Sequence, residues 1–384
     1  MIRQVVTIVS RAGPVNQGRS SKGDRLMDRR TLLAGAAAAS SLAAPAIAQE
    51  RIRWRIVTTW PKNAPGVGVN AERFAAHIGA MSGGRLTVEV FAAGELVPAF
   101  EALDAVQQGV AEMAHSASFF WLGKSEALNY FGSIPFGLMA SEIMGWLEFG
   151  GGMALWEETL EPFAIKPLFA GSSGVSAGGW FRKEINSLED LQGLKFRIAG
   201  LGAEVVRRLG ATPVLTPPSE VFTAMASGTV DAAELIGPWN DQAFGLYRVA
   251  PYYYMPGWHE IGPTAEVLIN RGAWETLPAD LQAVVETAAK ASAFEYHADY
   301  AFHNAMALEP LVQEHGVELR MFPDEVADAL GRTSLEVLDE LGAATALTAR
   351  IHDSYMAFLA RANRYAQWLE LPMLEMRARA LGRI

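Results

Sequence analysis

The residue that most clearly indicates binding chemistry is Arg197, in the segment Gly193-Leu-Lys-Phe-Arg-Ile-Ala-Gly-Leu-Gly202. This segment predicts a short apolar strand that ends just before a glycine-flanked helix. A guanidinium offers paired planar donors to a carboxylate, and a helix N-terminus adds unpaired backbone N–H groups with partial positive charge. Both features favour a small anion. An ordinary surface salt bridge from Arg197 to an Asp or Glu is the alternative that these residues leave open.

Acid-base catalysis is a second chemistry to consider, because His259 and Glu260 are adjacent and further histidines occur at 115, 297 and 303. No histidine pair has the spacing of a zinc protease. The chain also lacks a Gly-x-Ser-x-Gly elbow, a P-loop and a dinucleotide fingerprint after a strand. The sequence therefore favours binding over catalysis.

The N-terminus predicts export. The pair Arg29-Arg30 precedes the apolar stretch Leu32–Ala48, which ends in the small-x-small pattern Ala46-Ile-Ala48. These features are typical of a twin-arginine signal segment that is removed after Ala48 in the periplasm. The stretch is shorter than the ~20 apolar residues that span a membrane. Met27 is the expected true start, and residues 1–48 are excluded from the predicted fold.

The charge of the chain excludes several classes of partner. The sequence has 32 basic and 42 acidic residues, and residues 1–48 contain seven of the basic and two of the acidic ones. The remaining chain thus has 25 basic and 40 acidic residues, a net charge of −15. Such a protein repels nucleic acids and anionic membranes. Since there is no cysteine, disulfides and thiolate metal sites are excluded as well.

The first third of the chain beyond the signal segment alternates strands and helices. Arg51–Val57 and Arg85–Phe91 show the period-two pattern of strands, whereas Ala71–Met81 and Pro98–Gly109 repeat apolar residues at helical spacing. This β-α-β-α order predicts a parallel or mixed sheet covered by helices. We assign residues 49–164, with parts of 265–384, to a first lobe.

A second α/β cycle predicts a second lobe over residues 165–264. Its predicted strands and helices, in chain order, are Ile165–Ala170, Gly178–Phe181, Ser187–Leu191, Leu194–Ile198, Gly202–Leu209, Ser219–Ser227 and Val230–Leu235. Two such lobes would leave a cleft between them, which is where small-molecule sites usually lie.

The last third is predicted to be helical. A helix over residues 273–315 is long enough to span both lobes, and more amphipathic helix follows from Asp324 to Leu381. Aromatic side chains occur there at Tyr355, Phe358, Tyr365 and Trp368. They indicate either packing against the body or a homodimer contact, and both interpretations stay open.

Several motifs in one order identify a family resemblance. They are Ala93-Gly-Glu-Leu-Val-Pro98, Ile134-Pro-Phe-Gly137, Gly178-Gly-Trp-Phe-Arg-Lys-Glu-Ile185, Gly193-Leu-Lys-Phe-Arg-Ile198, Arg208-Leu-Gly-Ala-Thr-Pro213, Gly237-Pro-Trp-Asn-Asp241 and Pro251-Tyr-Tyr-Tyr-Met-Pro-Gly-Trp-His-Glu260. The chain resembles the extracytoplasmic solute receptors of tripartite ATP-independent periplasmic (TRAP) transporters, and most closely the branch that binds 2-oxo acids. The resemblance implies a two-lobed periplasmic-binding-protein-like α/β fold, a long helix spanning both lobes, and closure over one ligand.

The same resemblance implies roles for four residues of the second lobe. Arg197 matches the arginine that pairs with the ligand carboxylate. Glu234, the backbone carbonyl of Leu235 and Glu260 match ligands of a cation, Na⁺ or Ca²⁺, that bridges protein and substrate. A hard cation would let two carboxylates face a bound carboxylate. The alternative is that Glu234 caps a strand end and Glu260 lies on a solvated loop.

Two departures from the family pattern concern the ligand. Ser176 stands where the 2-oxo-acid branch is expected to have a Gln, and its shorter hydroxyl puts the identity and occupancy of the metal in question. The other expected ligand contacts are Phe119, Phe120 and Trp121 of the first lobe, together with Trp258. The relatives are richer in Tyr around residues 118–122, so this more apolar wall predicts a larger hydrophobic tail than that of pyruvate.

The function implied by the resemblance is capture of a 2-oxo or 2-hydroxy monocarboxylate by cleft closure and its delivery to small and large TRAP membrane subunits. A periplasmic ligand sensor for signalling is one alternative. An exported enzyme that acts on 2-oxo acids is the other.

Overall fold

The structure, a computed structural model, describes residues 51–382. The predicted signal segment, with Arg29-Arg30 and the cleavage position after Ala48, lies outside the described residues. Within residues 51–382, no helix combines the length and the apolar character needed to cross a membrane.

Eleven strands form two sheets. The strands are β1 (Ile52–Thr58), β2 (Leu86–Phe91), β3 (Met113–Ser116), β4 (Ile165–Ser172), β5 (Gly179–Phe181), β6 (Lys195–Arg197), β7 (Thr212–Val214), β8 (Ala232–Ala233), β9 (Tyr252–Tyr254), β10 (Thr264–Asn270) and β11 (Glu318–Arg320). The first sheet has the order β2-β1-β3-β10-β4, and the second has the order β11-β9-β5-β8-β6-β7. Both sheets mix parallel and antiparallel pairs, as the predicted α/β class allows.

Thirteen α-helices within the described residues surround the sheets. They are α1 (Val67–Met81), α2 (Ala102–Gln107), α3 (Asn129–Gly132), α4 (Ala140–Phe149), α5 (Gly152–Leu160), α6 (Gly200–Arg208), α7 (Val221–Ser227), α8 (Pro238–Phe244), α9 (Arg271–Thr276), α10 (Ala279–Gln313), α11 (Asp324–Ala343), α12 (Ala346–Trp368) and α13 (Glu370–Ala380).

The structure divides the chain between the lobes differently from the predicted boundary at residue 165. Strand β4 pairs antiparallel with β10 and so belongs to the first sheet. In the second sheet, β11 comes from the chain beyond residue 264 and pairs with β9. Sequence periodicity identifies a strand but not its neighbours, so the sheet to which β4 belongs was not visible in the sequence.

The long helix α10 joins the two lobes. Its 35 residues correspond to about 52 Å at 1.5 Å per residue. It packs on β4 and α1 of the first lobe and on α8 of the second. The predicted helix over residues 273–315 is interrupted at Leu277-Pro278, because Pro278 has the fixed φ that favours a helix start.

Aromatic and carboxylate groups hold the core of the second lobe. The rings of Trp180 and Tyr253 stack at 4.0 Å between centroids. Both donate hydrogen bonds to the buried carboxylate of Asp241, at 2.9 Å from Trp180 Nε1 and 2.7 Å from Tyr253 Oη. The carboxylate thus connects β5, β9 and the start of α8.

Gly171 allows α10 to approach the first sheet closely. It lies in β4 beside a register shift in the β4–β10 pair, and its φ is +130°. A Cβ at this position would lie 2.6 Å from Cδ1 of Tyr296 on α10. Only glycine fits both the backbone angle and the contact, so Gly171 fixes the position of Tyr296.

We expect Gly171→Ala to destabilise the protein by roughly 2–5 kcal/mol, because a strained φ and an overpacked contact both add cost. Gly79→Ala is the matched control. Gly79 lies in α1, and a Cβ there would meet no atom of the described chain within 4 Å, so alanine should stabilise the helix by up to about 1 kcal/mol. Urea unfolding followed by circular dichroism measures both. Equal effects of the two substitutions would contradict the close approach.

Candidate functional site

A small cavity of about 40 Å³ lies between the lobes. Residues of the first lobe, the second lobe and α10 all contribute to its wall. The residues that line it include Trp60, Phe119, Phe120, Arg197, Pro218, Leu235, Glu260 and Tyr296. We call this the inner cavity. A volume of this size holds only a few water-sized groups, so it suits a small solute.

Arg197 lies at the C-terminal end of β6, next to β8 in the centre of the second sheet, and is buried. The strand ends there and α6 begins at Gly200, two residues before the predicted helix start at Gly202. In open α/β sheets, ligand sites gather at the carboxyl ends of parallel strands. The topology therefore brings Arg197 to the crevice between the lobes.

The guanidinium of Arg197 is mostly occupied by the protein itself. Its Nη1 donates to the Glu234 carboxylate at 2.6 Å and to the Glu234 carbonyl oxygen at 2.7 Å, while Nε and Nη2 both donate to the Thr216 carbonyl oxygen. The backbone N–H of Ala199, at the entrance of α6, also donates to Glu234 Oε1, at 3.0 Å. Glu234 thus occupies the position beside Arg197 and the helix that the sequence suggested for a ligand carboxylate.

These hydrogen bonds limit how Arg197 could bind the carboxylate of a ligand. A guanidinium has five N–H donors, and four hydrogen bonds to residues of the described chain leave one on Nη2. A two-pronged pair with a ligand carboxylate is therefore not available unless the bonds to Glu234 or Thr216 rearrange. The salt-bridge alternative is realised, but with a buried carboxylate rather than a surface one.

The two carboxyl groups of the site differ in their tendency to ionise. Burial opposes ionisation of Glu234, but the Arg197 guanidinium and the neighbouring His259 hold its pKa below the usual range. Burial raises the pKa of Glu260 well above its usual range, and the negative charge of Glu234 raises it further. Ser176 Oγ lies 3.4 Å from Glu260 Oε2. The two neighbouring carboxyl groups are therefore shifted in opposite directions, Glu234 toward ionisation by Arg197 and Glu260 away from it by burial.

The donor set of Glu234, His259 and Glu260 fits a cation. One ligand atom from each lies within 4.8 Å of the others, and all three side chains are buried. Among residues 51–382, Glu234 Oε2 has no hydrogen-bond partner, although His259 Nε2 lies 3.4 Å from it. An unpaired buried carboxylate oxygen beside a second carboxyl group is a suitable ligand pair for Na⁺ or Ca²⁺.

His259 is an addition that the sequence had indicated only as a possible acid-base partner of Glu260. In the sequence, only its position next to Glu260 indicated that His259 belongs to the site. That the His259 side chain also faces Glu234 depends on the fold. Trp60 and Tyr296 also line the inner cavity without having been predicted. Trp60 follows the end of β1 and could have been found from that position, whereas the approach of Tyr296 depends on the crossing of α10.

The first lobe contributes the apolar wall through a single turn of 3₁₀ helix, Ser118–Trp121. Phe119 and Phe120 line the inner cavity, as predicted. Trp121 does not join them: its Nε1 donates to Glu266 Oε1 at 2.7 Å, and the Ser118 hydroxyl bonds the other oxygen of Glu266. The buried Glu266 thus holds both ends of the turn that carries the two phenylalanines.

Trp258 lies at a different cavity. Its ring packs near Phe136, with 6.3 Å between centroids, and lines an apolar space of about 290 Å³ together with Phe322 and Leu330. Of the residues predicted to contact a ligand or a metal, the structure brings Arg197, Leu235, Glu260 and the two phenylalanines to the inner cavity. Glu234 and Ser176 contact that set, while Trp121 and Trp258 point to other partners.

Comparison with known proteins gives consistent matches over most of the chain. Residues 56–344 match the bacterial extracellular solute-binding proteins of family 7. A monocarboxylate 2-oxoacid-binding periplasmic protein of Nostoc sp. is 40% identical over 307 residues, which cover 80% of this chain and 84% of that protein.

Solved structures show the same similarity. A TRAP periplasmic solute-binding protein from Pseudoalteromonas atlantica, with bound sodium and pyruvate, is 37% identical with a TM-score of 0.83 and covers 85% of this chain and 99% of that one. A TRAP solute-binding protein from Bordetella bronchiseptica is 34% identical with a TM-score of 0.85, covering 87% and 99%. It is described as a mixed-occupancy dimer with a calcium- and picolinate-bound site and an apo site.

The buried Glu266 should make the stability of the protein depend on pH. Burial raises its pKa to about 7, although Ser118 and Trp121 oppose the shift. Because the folded-state pKa is above that of the unfolded chain, the stabilising contribution is full at low pH and is lost as the pH rises through 7. Relative to Glu266→Gln, the wild type should therefore lose on the order of 2–3 kcal/mol between pH 5 and pH 8. Denaturant unfolding at several pH values measures the free energy of unfolding of both proteins, and Glu89→Gln, at an exposed side chain, is the control. If the stabilities of the wild type and Glu266→Gln changed in parallel with pH, the raised pKa of Glu266 would be ruled out.

Proposed function

The chain belongs to family 7 of the bacterial extracellular solute-binding proteins, the solute receptors of TRAP transporters, and we propose that it captures a short 2-oxo monocarboxylate together with Na⁺ or Ca²⁺. The observation that carries this proposal is the unpaired, buried Glu234 oxygen beside Glu260 at the edge of the inner cavity. The relatives from Nostoc, Pseudoalteromonas and Bordetella support it through the ligands in their descriptions.

The charges of the described residues give the proposal its physical reason. Arg197 is balanced by Glu234, so the pair adds no net charge with which to hold an anion. A bound cation would supply the missing positive charge to Glu234, Glu260 and the ligand oxygens. Arg197 Nη2 retains one N–H for the ligand, and Phe119 and Phe120 exclude water from its other side. Ser176 contacts Glu260 and keeps that carboxyl in place.

Closure follows from the division of the site between the lobes. The second lobe contributes Arg197, Leu235 and Glu260, while the first contributes Phe119 and Phe120. Only a closed arrangement makes both sets of contacts, so the ligand stabilises that arrangement. The closed form then delivers the solute to the small and large TRAP membrane subunits. We further propose that the receptor works in the periplasm after removal of residues 1–48, and that it releases its ligand chemically unchanged.

We also propose that the protein forms a homodimer through its C-terminal helices. Helix α13 buries none of its side chains, and its large apolar residues are half exposed or more: Leu371, Met373, Leu374 and Met376. Phe136, Met139, Met356 and Leu359 line an apolar groove of about 370 Å³ between α12 and the loop before α4. We propose that α13 of a second copy packs into this groove. The Bordetella relative, which is described as a dimer, supports this assembly.

Calorimetry with pyruvate tests the binding proposal. Wild-type protein dialysed against chelator and Na⁺-free buffer should bind pyruvate weakly, and Na⁺ or Ca²⁺ should restore the affinity. Glu260→Gln keeps the shape of the side chain and an oxygen for Ser176 but lacks the charge, so it should lose at least about 2 kcal/mol of binding, roughly thirtyfold. Recovery of unchanged pyruvate after long incubation is expected because the protein binds without turnover.

Glu89→Gln, on the exposed side of β2, is the matched control and should bind like the wild type. Arg197→Lys retains the charge but not the planar fork, so it should weaken both binding and folding. Binding that is indifferent to cation and to Glu260→Gln would refute the cation site, and formation of a product would show an enzyme.

The dimer is tested by Leu371→Asp combined with Leu374→Asp. These charges should prevent burial of α13 in a partner, so sedimentation should show a monomer where the wild type is a dimer. Because α13 buries nothing within its own chain, the melting temperature of the monomeric fold should change little. Phe149→Asp, at a side chain that is 90% exposed on α4, is the control. A wild type that sediments as a monomer at micromolar concentration would exclude the assembly.

A further inference from the structure

A second, larger cavity lies directly outside the inner cavity. It has a volume of about 470 Å³ and opens between residues 93–101 of the first lobe and Pro217, Ser219 and Glu220 of the second. We call it the outer cavity. Its walls include Leu96, Val97 and Phe100, so much of its lining is apolar.

Two pairs of residues separate the cavities. On the first lobe, Phe120 lines the inner cavity and Phe100 lines the outer one, and their rings are in contact at 5.1 Å between centroids. On the second lobe, Pro218 lines the inner cavity and the adjacent Pro217 lines the outer one. The partition therefore consists of two contacting aromatic rings on the first lobe and of two adjacent prolines on the second.

An aromatic cluster holds Phe120 in this position. Its ring centroid lies 4.8 Å from that of Phe119, 5.8 Å from Trp60 and 6.5 Å from Trp121. Trp121 in turn is fixed by its hydrogen bond to Glu266. Phe120 and Phe100 are both only partly buried, which is consistent with a partition that borders open space.

We propose that Phe120, braced by Phe100, sets the maximum tail length of the ligand. This inference rests on the proposed 2-oxo-acid function. A head group held near Arg197 and Glu260 leaves little of the 40 Å³ inner cavity for a tail. A longer tail would have to pass the contacting rings of Phe120 and Phe100 to reach the outer cavity. The wild type is thus a receptor for short tails, which differs from the larger tail that the phenylalanines suggested in the sequence.

Charge at the outer cavity restricts which longer ligands could use it. Glu101 and Glu220 contribute to its lining from opposite lobes. A second carboxylate at the tail end would be repelled by both, whereas an alkyl tail would meet Leu96, Val97 and Pro217. The compounds that gain access when the partition is removed should therefore be longer 2-oxo monocarboxylates, and not dicarboxylates.

Calorimetry with pyruvate, 2-oxobutyrate, 2-oxohexanoate and 2-oxooctanoate, in the presence of Na⁺, tests the inference. The affinity of the wild type should fall once the tail exceeds two or three carbons. In Phe120→Ala pyruvate should bind more weakly than in the wild type, because Phe120 lines the inner cavity. The order of tail lengths should reverse, with a gain of about fourfold for each methylene that enters the space beyond Phe120. 2-Oxoglutarate should gain nothing. Phe149→Ala, which removes an exposed ring that lines neither cavity, should behave like the wild type.

Phe100→Ala keeps Phe120 but removes its brace, so it decides the question if Phe120→Ala does not fold. It should shift the preference in the same direction by a smaller factor. Pyruvate binding with an unchanged order of tail lengths in both variants would overturn the inference while leaving the proposed function intact. A gain for 2-oxoglutarate equal to that for 2-oxohexanoate would overturn the assignment of an apolar tail. A wild type that binds none of the 2-oxo acids would overturn the proposed function, and this inference with it.

Discussion

The buried pair of Arg197 and Glu234 is the interaction on which the site depends. A buried guanidinium must be compensated, and here the carboxylate, the carbonyl of the same glutamate and the Thr216 carbonyl do so. The pair spans two adjacent strands, since Arg197 ends β6 and Glu234 directly follows β8. It also joins the entrance of α6 through Ala199. One charge pair thus fixes the register of the strands, the start of the helix and the polar floor of the cavity.

The rest of the architecture places an apolar lid opposite this polar floor. Glu266 of β10 holds the turn Ser118–Trp121 by hydrogen bonds at both ends. Helix α10 crosses from one lobe to the other and places Tyr296 beside the cavity, at the distance that Gly171 permits. The polar and apolar halves of the site therefore come from different lobes, and the distance between the lobes determines whether they act together.

The sequence predicted the strands and helices better than it predicted which strands and side chains contact one another. Alternation of apolar residues identified β1, β2 and the two α/β cycles, and the position of Arg197 at a strand end before a glycine was visible in the chain. Which of the many carboxylates would face Arg197 was not, because that depends on β6 lying beside β8. Trp121 and Trp258 were assigned to the ligand by composition and neighbourhood. An indole N–H needs an acceptor when buried, and for Trp121 that acceptor is Glu266, which sequence patterns do not reveal.

The charge of the whole chain sharpens the role of the local site. With a net charge of −10, the protein does not attract anions by its general field. The Arg197–Glu234 pair adds no net charge, and a second carboxyl group, Glu260, stands beside it. Compensation for a bound anion must therefore be local: from a cation held by Glu234 and Glu260, and from the remaining Arg197 N–H. Because Arg197, Glu234 and Glu260 are buried, these interactions are screened little by salt in the surrounding solution. Selectivity for a small anion follows from the enclosure of the site and not from the surface of the protein.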